Sequence, residues 1–121
     1  MDAVEAIDRL LEVSDDVRTV VVFERGGEPI ASNLSDGKAA EAAALADAML
    51  AYADTMREGA AVQQLRVVTQ GGDVYLRRDG DRAVLAVAAT ESMPGLVQHD
   101  LRALLTVLPR RRTRRKAGAT A

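Results

Sequence analysis

The chain reads as an α+β domain with the element order αββαβββα. Three observations predict this. Three runs repeat their apolar residues at helical spacing, and five short segments are β-branched or alternate in polarity. Glycine-centred turns at Gly26-Gly27, Gln70-Gly71-Gly72 and Asp79-Gly80-Asp81 join those segments into hairpins. A length of 121 residues suffices for one hydrophobic core and leaves much of the surface exposed.

Asp2 followed by Glu5 has capping-box character, and Val4, Ile7, Leu10 and Leu11 recur at helical spacing to about Val13, which predicts the first helix. Residues 18–25 (RTVVVFER) are β-branched and aromatic, as a strand requires. Gly26-Gly27 then supplies the positive φ angles of a tight hairpin, and Pro29-Ile30-Ala31-Ser32 continues as the return strand. Pro29 has no N–H to give to a ladder, so this strand should lie at an edge. Ser35 or Asp36 caps a long second helix over residues 37–58, which stops before Gly59-Ala60-Ala61.

Three short strands follow, over residues 62–69, 73–78 and 82–89. Leu65 and Val67 alternate with polar residues in the first, and Val74 and Leu76 do so in the second. The third (AVLAVAA) is almost continuously apolar and therefore central in the sheet. Ser92 near the cap and Pro94 in the first turn open a final helix whose Val97, Leu101, Leu104, Leu105 and Leu108 share one face. After Pro109 the sequence RRRTRRKAGATA has no apolar periodicity and is expected to be disordered in isolation. The expected organisation is a domain over residues 1–108 and a basic tail over 109–121.

Hydrophobic residues make up 48% and charged residues 28%, as in globular proteins rather than disordered ones. No apolar run approaches the roughly 20 residues that span a bilayer. The acidic start MDAVEAIDRL has neither the basic nor the apolar region of a signal peptide, so a cytoplasmic location is expected. Cysteine is absent and His99 is the sole histidine, which removes disulfides and thiolate ligands and leaves no histidine set for zinc. The net charge of −2 conceals an uneven distribution. Six of the 16 basic residues (Arg110, Arg111, Arg112, Arg114, Arg115 and Lys116) follow Leu108, leaving ten against 18 acids in residues 1–108, a net of about −8.

Four patterns that could carry chemistry fail on inspection. Gly37-Lys38 at a helix start resembles a phosphate loop, but Ser32 stands where that motif needs glycine and Ala39 where it needs a hydroxyl. Asp79-Gly80-Asp81 lacks the ligand series and terminal glutamate of a calcium loop and is a turn. His99, between Val97 and Leu101, has no serine or cysteine pattern to complete a triad and reads as a partly exposed structural histidine. Asp15-Asp16 and Asp79/Asp81 lie in turns, as solvated carboxylates do. No catalytic, cofactor-binding or metal-binding residue, and no small-molecule substrate, is expected.

The second helix is the informative element. Read at 100° per residue, Asp47, Asp54 and Glu58 gather in a narrow stripe, Lys38 and Glu41 stand across the helix near its start, and Ala, Leu, Met and Tyr occupy most of the rest. An ordinary surface helix buries one face. This one needs cover on two, one from its own sheet and one from a partner. The small residues Ala42, Ala46 and Ala53 beside Leu45, Met49, Tyr52 and Met56 suit close helix approach.

The element order, together with residues 16–32 (DVRTVVVFERGGEPIAS), residues 74–89 with their DGDRAVLAVAA hairpin and residues 94–108 (PGLVQHDLRALLTVL), resembles the roadblock family, named for a dynein light chain and found beside small Ras-like GTPases in bacteria and archaea. The likeness covers roughly residues 3–108. It implies an α/β/α sandwich in which a five-stranded antiparallel sheet carries the second helix on one face and the first and last helices on the other. It also implies a dimer in which second helices pack antiparallel and third strands pair edge to edge. Ala42, Leu45, Ala46, Met49, Tyr52, Ala53 and Met56, with Leu65 and Val67 of the third strand, are then the expected interface. Arg66 is the expected guard of that edge if it stays unpaired. The basic tail has no counterpart in the minimal family domain.

The functional expectation is a non-enzymatic homodimeric scaffold that binds a small Ras-like GTPase. The alternative is a nucleic-acid-associated dimer. In it Arg110, Arg111, Arg112, Arg114, Arg115 and Lys116 hold phosphates electrostatically, and the same tail could meet an anionic membrane surface. No aromatic residue lies between the arginines to stack bases, and no amphipathic helix or lipidation motif completes a membrane anchor.

Overall fold

Asp2 closes a capping box at the start of helix α1 (Ala3–Val13). The Glu5 N–H donates to Asp2 Oδ1 at 2.8 Å and the Asp2 N–H donates to Glu5 Oε1 at 3.3 Å. The structure is a computed structural model and describes residues 2–57 and 61–109. After α1 come strands β1 (Val17–Glu24) and β2 (Glu28–Ser32), helix α2 (Asp36–Thr55), strands β3 (Gln64–Thr69), β4 (Gly72–Asp79) and β5 (Arg82–Ala88), and helix α3 (Pro94–Val107). The order αββαβββα is the one expected.

The five strands form one antiparallel sheet in the order β2-β1-β5-β4-β3. The nearly all-apolar β5 is its centre and the proline-bearing β2 is an edge, as the sequence implied. Alternation divides each strand between two cores. On one face Val20, Val22, Tyr75, Val84 and Ala86 meet Ile7 and Leu10 of α1 and Val97, Leu101 and Leu105 of α3. On the other, Val21, Phe23, Leu76, Ala83 and Leu85 meet Ala43, Ala46 and Leu50 of α2.

Two glycines are required by geometry. Gly27 has φ +84°, and a Cβ there would lie 2.9 Å from the Ala44 Cα, so α2 rests directly on the β1–β2 turn. At Gly72 φ is +148°, and a Cβ would lie 2.5 Å from the Ala88 carbonyl oxygen. Side chains larger than hydrogen do not fit either place.

Several boundaries differ from expectation, each for a visible reason. β3 begins at Gln64 rather than 62. The Val62 N–H donates to Asp54 Oδ1 and its carbonyl accepts from Arg78, so Val62 is clamped to α2 and β4 instead of entering a ladder. Ser35 is the N-cap of α2 but makes no side-chain cap bond. Met93, not Ser92, caps α3, because the Ser92 hydroxyl is drawn into the interior. α2 ends at Thr55, short of the expected residue 58, because the Met56 and Arg57 N–H groups turn back to the Ala53 and Asp54 carbonyls. Glu58, Gly59 and Ala60 lie outside the described residues, as does most of the expected tail. No helix among the described residues is long and apolar enough to cross a membrane.

Candidate functional site

Helix α2 packs chiefly against β2 and β1, with a lighter approach to β5, so the β4–β3 half of that sheet face receives much less cover from it. Leu65, Val67 and Val74 remain half-buried on this part of the sheet, and Leu65 and Val74 border the α2 core together with Ala42 and Met49. Outward from that border, Leu45, Tyr52 and Met56 are 64%, 70% and 69% exposed. Positions 45, 49, 52 and 56 are spaced four, three and four residues apart, the repeat of a helix–helix seam. Ala53 is half-buried. Ala46, at 1% exposure, is covered by the chain's own sheet.

The charged stripe of α2 fixes the helix to the sheet. Asp47 Oδ1 accepts from the Gly26 N–H at 3.1 Å. Asp54 Oδ1 accepts from Arg78 Nη2 at 2.5 Å and from the Val62 N–H at 2.7 Å. The hydrogen bond from Arg78, and then that from Val62, hold the Asp54 carboxyl below its ordinary value. With these anchors along one side, the rotation of α2 about its axis is set and the Leu45–Met56 seam faces away from the chain.

β3 is the sheet's second edge, and one row of its backbone groups has no strand beside it among the described residues. Arg66 does not guard this edge as an unpaired charge. It crosses to Asp73 of β4, where Arg66 Nη2 donates to Asp73 Oδ2 at 2.9 Å and the guanidinium stands 5.8 Å from the Tyr75 ring centre. Asp73 is 2% exposed. Its Oδ2 also accepts from Ser92 Oγ at 3.1 Å and Tyr75 Oη at 3.5 Å, while the two hydroxyls lie 2.7 Å apart. The Arg66 hydrogen bond, followed by that of Ser92, outweighs burial and lowers the Asp73 carboxyl below its ordinary value. Sequence reasoning missed this network. Its one local signal is the phase of β4, where Asp73 shares a face with the buried Tyr75.

His99 is exposed. Among the described residues no three His, Asp or Glu side chains gather as a metal site. Arg110, Arg111, Arg112, Arg114, Arg115 and Lys116 lie outside the described residues.

The sequence profile of the Roadblock/LC7 domain family matches residues 3–89. A comparison with curated protein sequences found no match. Among solved structures, a Roadblock/LC7 domain from Streptomyces avermitilis is similar at a TM-score of 0.79 and 16% identity, over 88% of this chain and 93% of that one. The gliding protein MglB from Thermus thermophilus gives 0.71 at 16% identity, over 84% and 82%. An MglB with a tetrameric arrangement gives 0.71 at 15% identity, over 84% and 81%.

Proposed function

The chain belongs to the Roadblock/LC7 domain family, and from that premise we propose that it is a non-enzymatic homodimeric scaffold, cytoplasmic in location, that binds a small Ras-like GTPase and tunes its nucleotide cycle or its place in the cell. The observation that carries this reading is the seam of Leu45, Tyr52 and Met56, exposed beside the half-buried Leu65 and Val67 and continuous with the unpaired edge of β3. In an isolated chain that surface meets water, and apolar patches of this kind mark interaction sites.

In the proposed dimer, two α2 helices pack antiparallel along this seam and two β3 strands pair, giving one sheet through both copies. Met49 and Ala53 support the seam from its inner margin, with Ala42 at the adjoining edge of the core. The GTPase then meets a rigid platform that favours one arrangement of its switch segments and shifts their population. The chemical step remains in the GTPase. Roadblock-type chains occur beside such GTPases, which is the basis for naming this partner. Similarity in fold to MglB supports self-association at the level of architecture.

A search of the neighbouring genes for a small Ras-like GTPase, followed by a pull-down with that protein loaded in turn with GDP and a GTP analogue, tests the reading. State-dependent retention is expected, and equal or absent retention in both states overturns it. The Arg-rich tail supports the second reading, phosphate binding to nucleic acid, because six cations fall in seven positions. Loss of DNA or RNA retention at low salt after deletion of residues 110–121, with the dimer intact, would favour that reading. Undiminished GTPase binding by the shortened chain favours the scaffold.

A further inference from the structure

An open cleft of about 510 Å³ lies between the α3-facing side of β3–β4 and the N-terminal half of α3. The body of the domain is acidic, with a net of about −8 over residues 1–108, yet this cleft is walled by Arg66, Arg77 and Arg102, with His99 beside them. β-strand alternation brings the first two there. Arg66 is registered opposite Tyr75, and Arg77 lies one same-face step further along β4. On α3, Arg102 follows Gln98 by four residues and so stands on the same side of the helix.

Most of this cationic capacity is unspent. Asp73 engages a single Nη of Arg66 and Gln64 engages a single Nη of Arg77, whereas each guanidinium has five N–H donors. The Arg102 side chain meets no hydrogen-bond or ion-pair partner among the described residues.

Two independent features point to an occupant. The N-terminus of α3 opens at the cleft through Pro94 and Gly95. Its cap residue Met93 makes no side-chain bond and its first turn holds no acid, whereas α1 has a complete capping box. The second feature is Gln98, which lines the cleft at 9% exposure with its Oε1 buried and without a partner. An ionised phosphate offers only acceptor oxygens, so Gln98 meets it through its amide N–H, which a half-turn of the amide puts in the place of the unpartnered oxygen.

The geometry points to this cleft as a binding site for small organic phosphates. Guanidinium groups converging from a strand pair and from a helix reach a tetrahedral dianion from several sides, and guanidinium–phosphate hydrogen bonds are bidentate and charge-assisted. The free amides of the first turn and the positive end of the helix dipole favour the same ligand. A planar carboxylate offers two in-plane oxygens in place of a tetrahedral set, so each carboxylate of a polyanion such as citrate uses fewer of these converging donors. The volume falls in the range of about 300–1,000 Å³ that small-molecule sites occupy. All the groups come from one chain, so the site does not depend on the proposed dimer.

The test is a titration of the full-length, 15N-labelled protein at low ionic strength with pyrophosphate, with glycerol 3-phosphate and with citrate. Saturable shifts are expected at the Gly95 and Leu96 amides, the Gln98 side-chain amide and Arg102 Nε, with glycerol 3-phosphate bound more tightly than citrate. Arg102→Ala is expected to weaken binding by on the order of tenfold. Gln98→Glu, which places a carboxylate in the cleft, is expected to abolish it. Unchanged core amide shifts such as that of Val21 certify the fold of both variants. Shifts confined to the arginine-rich tail, equal affinity for citrate, or undiminished binding by Arg102→Ala overturn the assignment. Preference for pyrophosphate over glycerol 3-phosphate overturns the organic part of it. Arg102→Ala is expected to leave the dimer mass unchanged, because Arg102 lies on α3 away from the α2 seam, which separates this result from the fate of the scaffold reading.

Discussion

Asp73 shows how much a single position depends on its surroundings. Buried carboxylates are costly unless paired, and this one is held by Arg66, Ser92 and Tyr75 together. Its folded-state value lies below the ordinary 3.8, so its contribution is complete above that value and is lost as pH falls through the lower folded value. Asp54 behaves in the same sense through Arg78. Asp73→Asn is therefore expected to lower the urea midpoint at pH 7 and to flatten the acid limb below about pH 4, when the midpoint is followed across pH. An acid limb as steep as that of the unaltered protein would refute the role given to this carboxylate. At Gly72 the constraint is steric. Gly72→Ala, forced to φ +148° against the Ala88 carbonyl, is expected to cost more than about 1 kcal/mol in urea unfolding.

Helix α2 has two sides with separable roles. Leu50 is buried among Phe23, Leu76 and Leu85 in the inner core, and Leu50→Ala is expected to cost about 2–5 kcal/mol by the loss of packing and the cavity left behind. The paired change Met49→Glu with Tyr52→Glu acts on the outer side, at the exposed Tyr52 and at the half-buried Met49 on the inner margin of the seam. The expected outcome is monomer, or insoluble protein, in light scattering, and an unchanged dimer mass would reject the seam as the interface. Leu50→Ala at a temperature where it remains folded should keep the dimer mass, which distinguishes inner packing from outer association. β3 completes the surface because its free edge continues the sheet, and an edge left open invites another strand.

At the scale of the whole molecule, association and stability are linked. If folding and dimerisation are coupled, the melting temperature rises with protein concentration, since the partner binds only the folded chain. Calorimetry over a hundredfold concentration range should show that rise in the native sequence and none in the Met49→Glu, Tyr52→Glu protein. Charge is organised at this scale too, with an acidic body, an arginine-lined cleft on the α3 side and a run of cations after Pro109. The cleft lies on the α3 side of the sheet, across from α2, so self-association through α2 and anion binding through Arg102 can be altered separately.

Much of the architecture was legible because it is encoded locally. The capping box at Asp2, the glycine hairpins, the centrality of β5 and the edge position of β2 follow from spacing and from the properties of glycine and proline, which need no knowledge of distant residues, whereas the edge position of β3 was implied by the family resemblance. The candidate interface was legible only in outline. α2 is apolar around most of its circumference, so no sequence phase separates Ala46, covered by the sheet, from Leu45, exposed beside it. The rotation is decided by Asp47 on the Gly26 turn and by Asp54 on Arg78, the latter 24 residues away.

The amino-acid sequence by itself determined the order of elements, the turns that join them and the surplus of apolar surface on one helix, because each arises from neighbours within a few residues. Only the tertiary structure decided which polar groups would be partners, turning Arg66 from the open edge to Asp73 and drawing Ser92, 19 residues from that carboxylate, into the interior. Charges and hydroxyls are satisfied by whatever the fold brings within hydrogen-bond reach, and that distance is unrelated to separation along the chain.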